Sequence, residues 1–398
     1  MPTYLVSNKK TDCFGCRACE QLCLQKAIIM SEDKEGFQYP QINKNLCTGC
    51  NLCEKICPAN YHVNTKGDYP KIYAAKNKHE QQLKVSSSGA MFSVLADYIT
   101  ARNGFVAGCV FENGFRAVHI LTDDKQEIER MHGSKYIQSD TKGVYTEVKQ
   151  KLENGSHVLF TGTPCQVDGL KRFLRKDYEK LLTADVVCHG VPSQKLFNNY
   201  MEYLEDHLGA KILNYKFRDK DKGGWGKDGS YTIHKKGKCI KRSLMPESDY
   251  YYTLFSHTWA NRESCYQCPY ASLSRVGDFT IADFWGITNV NPEFFSKLGV
   301  SLLLVNSDKA DAAFENISGN IEYIPVSITD AVQNVSNFRG PYHRNDAIRN
   351  EIYGKIQMLG FENAVRQYCK LQFFRAKLRR MVPASVKDRI KQFWRGTL

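Results

Sequence analysis

At 398 residues the chain is long enough for two or three compact units beyond any small module. Fifteen cysteines would mark a secreted disulfide scaffold in a short chain, but here they cluster in metal-type spacings and the remaining composition is ordinary for a globular protein. The formal charge of +13 is concentrated near the C-terminus, and no apolar run approaches the roughly 18 residues of a membrane span. The opening Met1-Pro2-Thr3-Tyr4 has no charged region followed by an apolar stretch, so the expectation is a cytoplasmic protein in a reducing compartment.

Taken in chain order, the first elements are two cysteine runs. Cys13, Cys16, Cys19 and Cys23 form C-x2-C-x2-C-x3-C, and Cys47, Cys50, Cys53 and Cys57 repeat it. Three cysteines at this spacing wrap three irons of one cube, while the fourth points to the other cluster. The expected ligand sets are therefore Cys13, Cys16, Cys19 and Cys57 for one [4Fe-4S] cluster, and Cys47, Cys50, Cys53 and Cys23 for the other. Zinc sites use paired C-x2-C units and fit these runs of four poorly. Pro58 follows the second run as bacterial ferredoxins expect, whereas Leu24 stands after the first. Between the runs, Ala27–Met30 and Gly36–Ile42 read as two short strands. Residues 1–66 thus resemble a bacterial two-cluster ferredoxin module with internal repetition.

After Pro70 the composition changes. Val85-Ser86-Ser87-Ser88-Gly89-Ala90 leads into Met91, Phe92, Val94, Leu95, Tyr98 and Ile99 at helical intervals, which predicts a helix starting near Ser88. Its N–H groups are suited to phosphate, although an N-cap explains the same residues. Phe105–Phe111 and Val118–Thr122 read as strands around a Glu112-Asn113-Gly114 turn. Gly133-Ser134-Lys135-Tyr136-Ile137-Gln138-Ser139 is rich in donors, fit for a flavin edge or a pyrophosphate and equally for an ordinary polar loop.

His157–Thr161 is an apolar strand ending in Gly162-Thr163-Pro164-Cys165-Gln166, followed by a helix through Val167, Leu170, Phe173 and Leu174. A second buried strand, Leu181–Val187, delivers Cys188-His189-Gly190-Val191-Pro192. Both cysteines sit just past the carboxyl ends of strands, where open α/β sheets place ligands. Cys265 and Cys268 form a C-x2-C in a polar loop. These four are available for a third metal centre; a zinc site or independent buried thiols are the alternatives, and Cys109, Cys239 and Cys369 are left over.

The ordered motifs from the ferredoxin run through Ser-Ser-Ser-Gly-Ala, Gly-Ser-Lys-Tyr-Ile-Gln-Ser, Thr-Gly-Thr-Pro-Cys-Gln, Val-Cys-His-Gly-Val-Pro and Phe217-Arg218-Asp219-Lys220, then Ser264–Tyr270 and Gly277–Gly286. Over roughly residues 1–310 they resemble the coenzyme F-420 hydrogenase/dehydrogenase beta-subunit family. The resemblance implies a flavoprotein oxidoreductase holding FAD beside an additional [4Fe-4S] cluster. It further implies Cys165, Cys188, Cys265 and Cys268 as ligands of that cluster, and Ser87, Ser88, Gly89, Lys135, Tyr136, Gln138 and Ser139 as flavin contacts, with Thr161, Gly162 and Thr163 supplying N–H groups nearby. Ala90 and Ala282 stand where the family commonly has glycine. Relatives reduce chlorophyll derivatives with ferredoxin, and many bacterial members accompany surface polysaccharide synthesis. A ferredoxin-like donor or acceptor and an organic substrate are the implied partners; a non-catalytic electron-transfer subunit is the alternative. His132 and His189 are candidate proton donors and equally structural histidines; no catalytic residue is assigned.

The expected fold is α/β (α+β overall): the ferredoxin-like module at 1–66, a flavin-binding region at 67–145, a region with the additional Fe-S site at 146–340, and a helical basic tail at 341–398. Within it, residues 375–398 hold Arg375, Lys377, Arg379, Arg380, Lys387, Arg389, Lys391 and Arg395 against Asp388 alone. With Val386, Ile390, Phe393 and Trp394 at helical spacing, the tail reads as a basic amphipathic helix at the inner face of a membrane, or as a terminal helix packed on its own domain. A nucleic-acid partner is not expected, because no recognised nucleic-acid module accompanies the basic residues.

Overall fold

Each cysteine run bends at the same two positions. Gly15 and Gly49 both have φ 70°, and the residues two further on, Arg17 and Asn51, are left-handed at φ 61° and 55°. Only then do the short helices Ala18–Leu22 and Leu52–Lys55 begin, so the repeat in spacing is a repeat in backbone. β1 (Ile28–Glu32) and β2 (Gln38–Ile42) pair antiparallel between the runs, with Ile28 opposite Ile42. This is the expected ferredoxin-like hairpin. The computed structural model describes residues 3–60 and 70–381.

The rest is built on one eight-stranded sheet. Its strands are β3 (Lys71–Asn77), β4 (Phe105–Glu112), β5 (Arg116–Thr122), β6 (Val158–Gly162) and β7 (Leu181–Val186), joined after an excursion by three more. The excursion is a three-stranded antiparallel sheet of β8 (Ile212–Lys216), β9 (Gly229–Lys235) and β10 (Lys238–Leu244). β11 (Phe279–Asp283), β12 (Ser301–Val305) and β13 (Ile321–Pro325) then complete the order β13-β3-β12-β11-β7-β6-β4-β5. β4, β6, β7 and β11 run parallel, whereas β12 pairs antiparallel with β11. β12 is buried at every position, as its unbroken Ser-Leu-Leu-Leu-Val run requires of a strand covered on both faces. Strands from the expected 67–145 and 146–340 regions share this sheet.

Helices cover both faces. Met91–Thr100 and Asp308–Ile317 bury Val94, Leu95 and Phe314 against Val106, Leu159, Leu182 and Leu303 on one side. Val144–Glu153 and Pro164–Leu174 cover the other, where Val148, Val167 and Leu170 share a core with Phe160 and with Cys16, Ala18 and Ile56 of the cysteine module. The module is thereby part of the main core. A separate aromatic core joins Phe37 and Tyr39 to Phe197, Tyr251, Tyr353 and Phe361. It extends to the helices Asp346–Leu359 and Phe361–Met381.

The helix expected near Ser88 begins at Met91, because Ala90 is left-handed at φ 62° and breaks the helical path before it. The basic tail is helical as far as Met381; Lys387, Arg389, Lys391 and Arg395, with Val386, Ile390, Phe393 and Trp394, lie outside the described residues. Among the described residues no helix is long and apolar enough to cross a membrane.

Candidate functional site

The first run meets the last cysteine of the second. Cys13, Cys16, Cys19 and Cys57 line one cavity, which Cys53 and Pro58 also border. Burial pushes the Cys16 and Cys19 thiols well up, and Cys57 and Cys13 push in the same direction. The Cys57 thiol is likewise raised to about 12 by burial. Cys47 and Cys50 are exposed, and Cys23 accepts a bond from the Ala27 N–H at 3.3 Å. Packing separates the two copies. A Cβ on Gly15 would lie 2.5 Å from Gln138 Nε2 and 2.9 Å from Arg262 Nη1, whereas one on Gly49 would meet nothing within 4 Å. The first copy faces the sheet domain, and the Cys47–Cys50 stretch of the second faces solvent.

Four thiols from three distant stretches converge on a second cavity. Cys165 opens the helix Pro164–Leu174, Cys188 follows β7 by two residues, and Cys265 and Cys268 flank the end of a 3₁₀ turn at Glu263–Gln267. All four line one cavity, together with Phe14 from the first cysteine run. Burial raises Cys265 and Cys268 to about 12, and the thiols of Cys268 and Cys165 respectively push the same way. Cys188 moves the same way, through burial and then Cys265 and Cys165. Among the described residues no three His, Cys, Asp or Glu side chains are gathered for a single metal ion; a cube differs in taking each thiolate on a separate iron. Among the described residues, Ser264 Oγ at the cavity and Asn261 Oδ1 are buried without a hydrogen-bond partner.

A buried polar network fixes the strand that leads to Cys188. Asp185, fully buried at the end of β7, accepts from Arg275 Nη2 at 2.6 Å, from the Gly277 N–H at 2.8 Å and from the Thr280 hydroxyl at 2.8 Å. Asp278 Oδ2 accepts from the Thr183 N–H at 2.8 Å and its hydroxyl at 2.6 Å. The Gly277–Asp283 motif thus locks β11 onto β7, and with it the Cys188 loop.

The residues expected at the flavin divide into two groups. In the first, Ser87 Oγ accepts from the Ser134 N–H at 2.8 Å, Ser88 Oγ donates to Val300 O at 2.8 Å, and the Gly89 N–H donates to Ser301 Oγ at 2.9 Å. A Cβ on Gly89 would sit 2.3 Å from Ala75 O, so glycine is required there. The helix beyond, Met91–Thr100, has no side-chain cap, so the N-cap explanation of these serines is not the one realised. Lys135 Nζ donates to the carbonyls of Arg130, Met131 and His132 at 2.9 to 3.1 Å, and burial pulls it down to about 8. Tyr136 receives a bond from Arg218 Nη1 at 3.3 Å and stacks on Phe255 with centroids 4.2 Å apart.

The second group lies at the Cys165 cavity. Gln138, Ser139 and Thr163 line it. Gln138 Nε2 donates to Phe14 O at 3.0 Å, and Ser139 Oγ lies 2.9 Å from His119 Nδ1. Thr161 Oγ1 donates to Ala107 O at 3.1 Å. Gly162 ends β6, and Thr163 forms a capping box with Gln166 and lies 3.2 Å from Cys165 Sγ.

The sequence assigns no role to Arg218 and Asp283, although both fall within its motifs. Arg218 Nη1 reaches Asp283 Oδ2 at 2.9 Å and its Nη2 reaches Ser87 O at 3.1 Å. Trp225 Nε1 donates to Asp283 Oδ1 at 2.8 Å and its ring stacks on Trp285 at 4.6 Å. Among the described residues, three buried polar atoms around the serine loop have no hydrogen-bond partner: Gln82 Oε1, Ser86 Oγ and Arg218 Nε. A cleft of ≈ 1270 Å³ borders Gln82, His132, Ser134, Lys135 and Arg218. Burial lowers His132 to about 4 and His189 below its ordinary value, so His132 is neutral at pH 7.

Residues 155–328 match the family model for the C terminus of the beta subunit of coenzyme F420 hydrogenase/dehydrogenase, and residues 12–61 match that of a 4Fe-4S dicluster domain. No match was found among curated protein sequences. Among solved structures, a chain of the xenon-derivatised F420-reducing [NiFe] hydrogenase complex from Methanosarcina barkeri aligns with 15% identity and a TM-score of 0.44. The alignment covers 73% of this chain and 95% of that one. A likeness at that level carries no argument about function.

Proposed function

We propose, for a chain that matches the coenzyme F420 hydrogenase/dehydrogenase beta-subunit family model over residues 155–328 and that of a 4Fe-4S dicluster domain over residues 12–61, that it relays electrons between a ferredoxin-like partner and a flavin. The class, an iron-sulfur protein of oxidoreductase-type electron transfer, follows from those two domains. The finer reading rests chiefly on one observation: Cys165, Cys188, Cys265 and Cys268 share a cavity with Phe14, which belongs to the first cysteine run.

In this reading Cys13, Cys16, Cys19 and Cys57 hold one [4Fe-4S] cluster, Cys23, Cys47, Cys50 and Cys53 a second, and Cys165, Cys188, Cys265 and Cys268 a third. The exposed Cys47–Cys50 face receives the partner, and the first site stands between it and the third. Phe14 and Tyr270, edge to face at 5.6 Å, keep water from the space between the inner sites. FAD, when bound, supplies the exchange between single electrons and the electron pairs an organic acceptor takes. Ser87, Ser88 and Gly89 fit it through a loop beside which Ser86 Oγ, Gln82 Oε1 and Arg218 Nε are buried without a hydrogen-bond partner among the described residues. Arg218 orients that loop by holding Ser87 O. Lys135, its ammonium occupied by carbonyls, holds the Gly133–Ser134 turn against the loop. Gln138, Ser139 and Thr163 serve the third thiol site as well as the flavin's near side. The resemblance points to surface polysaccharide synthesis as the setting of the acceptor.

Anaerobic purification with iron, sulfide and flavin measured together tests this. The expected content is about twelve irons per chain with bound FAD, falling to about eight in Cys265→Ser, at four irons per cluster. Iron unchanged by that substitution would reject the third site, and a flavin-free preparation would reject the FAD assignment. The matched family is described as a subunit, which favours as second reading a non-catalytic electron-transfer subunit; turnover of an added two-electron acceptor without any partner separates the two.

A further inference from the structure

Arg262 is a buried arginine without a carboxylate partner among the described residues. Its side chain is 1% exposed, yet among the described residues it forms no ion pair with a carboxylate. Nε donates to Cys13 O at 2.7 Å, Nη1 to Gln138 Oε1 at 3.1 Å and Nη2 to Gln38 O at 2.9 Å. The rings of Tyr39 at 4.2 Å and Phe37 at 5.5 Å also lie against it. Other buried arginines are built differently: Arg275 holds Asp185 at 2.6 Å, Arg349 holds Glu35 at 2.6 Å, and Arg218 holds Asp283 at 2.9 Å. A guanidinium removed from water and given only neutral partners is costly unless an anion of another kind stands nearby.

That anion has two possible seats, one on each side. Arg262 bonds the backbone of Cys13, and it precedes Cys265 by three residues in a turn where the Cys265 N–H donates to Arg262 O at 2.9 Å. The two thiol sites also touch through the helix Pro164–Leu174. A Cβ on Gly169, one turn beyond Cys165, would lie 2.9 Å from Cys16 Cβ. At the outer copy, among the described residues, Gly49 has open space where Gly15 meets Arg262.

We infer that Arg262 is the counter-charge shared by the two inner thiol sites, and that its field raises the reduction potential of the clusters held there above what each would have without it. The inference rests on the proposed ligand sets. A [4Fe-4S] cube on four thiolates gains one negative charge on reduction, so a nearby fixed cation in a low-dielectric interior stabilises the reduced form. The outer cluster, on Cys23, Cys47, Cys50 and Cys53, lies outside that field, and the gradient draws an electron inward from the exposed face. Arg262 is thus a positioning and tuning residue that touches no acceptor.

Redox titration followed by electron paramagnetic resonance on the full-length, cluster-loaded protein tests this. Arg262→Gln is expected to lower two of three midpoint potentials, each by about tenfold in the equilibrium or about 59 mV for one electron, and to leave the third in place. Arg262→Lys keeps the charge and loses the fork, so its midpoints stay near wild type while its stability falls. All three midpoints unchanged in Arg262→Gln, or all shifted alike, would overturn the inference. Should Arg262→Gln fail to retain iron, Arg262→Lys decides: wild-type midpoints sustain the charge assignment, and lowered ones refute it. Wild-type iron near eight per chain would instead remove the third site itself, a failure of the underlying reading distinguishable from the potentials.

Discussion

Replacing Arg349 with methionine should loosen the cysteine module from the sheet domain, although residue 349 lies more than 280 residues beyond the module. Arg349 is fully buried in the helix Asp346–Leu359. It holds Glu35 through Nη1 at 3.0 Å and Nη2 at 2.6 Å, Glu263 through Nη1 at 2.8 Å, and Asn261 O through Nε at 3.1 Å. One side chain therefore ties the β1–β2 turn to the loop that carries Cys265. Removing the cation leaves two carboxylates that are only 17% and 15% exposed. Breaking such a buried arrangement costs about 3–5 kcal/mol. The lower end is expected, because Glu263 keeps Arg344 at 3.1 Å. Glu35→Gln costs less, about 1.5–3 kcal/mol, the worth of hydrogen bonds to a charged group, since Arg349 retains Glu263 and Asn261 O. The double variant should then cost little more than Arg349→Met alone. Anaerobic urea unfolding of wild type, both single variants and the double variant measures this as a coupling energy. Single-variant costs that simply add, or an Arg349→Met loss below about 0.5 kcal/mol, would refute the claim that the ion cluster clamps the module.

Three further outcomes follow from the packing. Gly169→Ala puts a methyl 2.9 Å from Cys16 Cβ, 3.0 Å from its Sγ and 3.1 Å from the Tyr145 hydroxyl; overpacking of about 1–3 kcal/mol is expected, with changed resonance of one inner cluster while the outer is unaffected. Cys239→Ser, in contrast, alters an exposed thiol on β10 and should leave iron content and stability at wild-type values, so that iron loss there would undo the assignment of the twelve ligand cysteines. Asp249, buried at the N-cap of Tyr250–Ser256, is raised to about 6 by burial. Its folded value lies above the unfolded one of about 3.9, so the native state binds the extra proton and stability falls as pH rises from about 4 to about 6. Asp249→Asn should flatten that slope in pH-dependent urea unfolding, and an unchanged slope would place the titration elsewhere.

Most local structure was legible in the residues. The strands at Val158–Gly162 and Leu181–Val186 and the helix through Leu174 lie where their apolar patterns put them, because a short buried run flanked by turn residues has few other conformations. The helix after the serine loop starts three residues beyond Ser88, since nothing in Ser88-Gly89-Ala90 announces that Ala90 adopts φ 62°. A glycine at that position would avoid a conformation that costs an L residue about 1–2 kcal/mol. The ion clamp at Arg349 had no motif to reveal it, because its partners come from two other parts of the chain.

The iron-sulfur module could be read from spacing alone. Cysteines within a turn of one another are held together by covalent geometry, so their pattern carries the chemistry wherever the module sits. Distance along the chain carries no such guarantee for Cys165, Cys188, Cys265 and Cys268, and only the pairing of β6, β7 and β11, locked by Asp185 and Asp278, brings their loops to one edge. Nor can local sequence say which of two near-identical runs faces inward. Gly15 and Gly49 share a conformation, and packing against Gln138 and Arg262 alone makes one the inner copy.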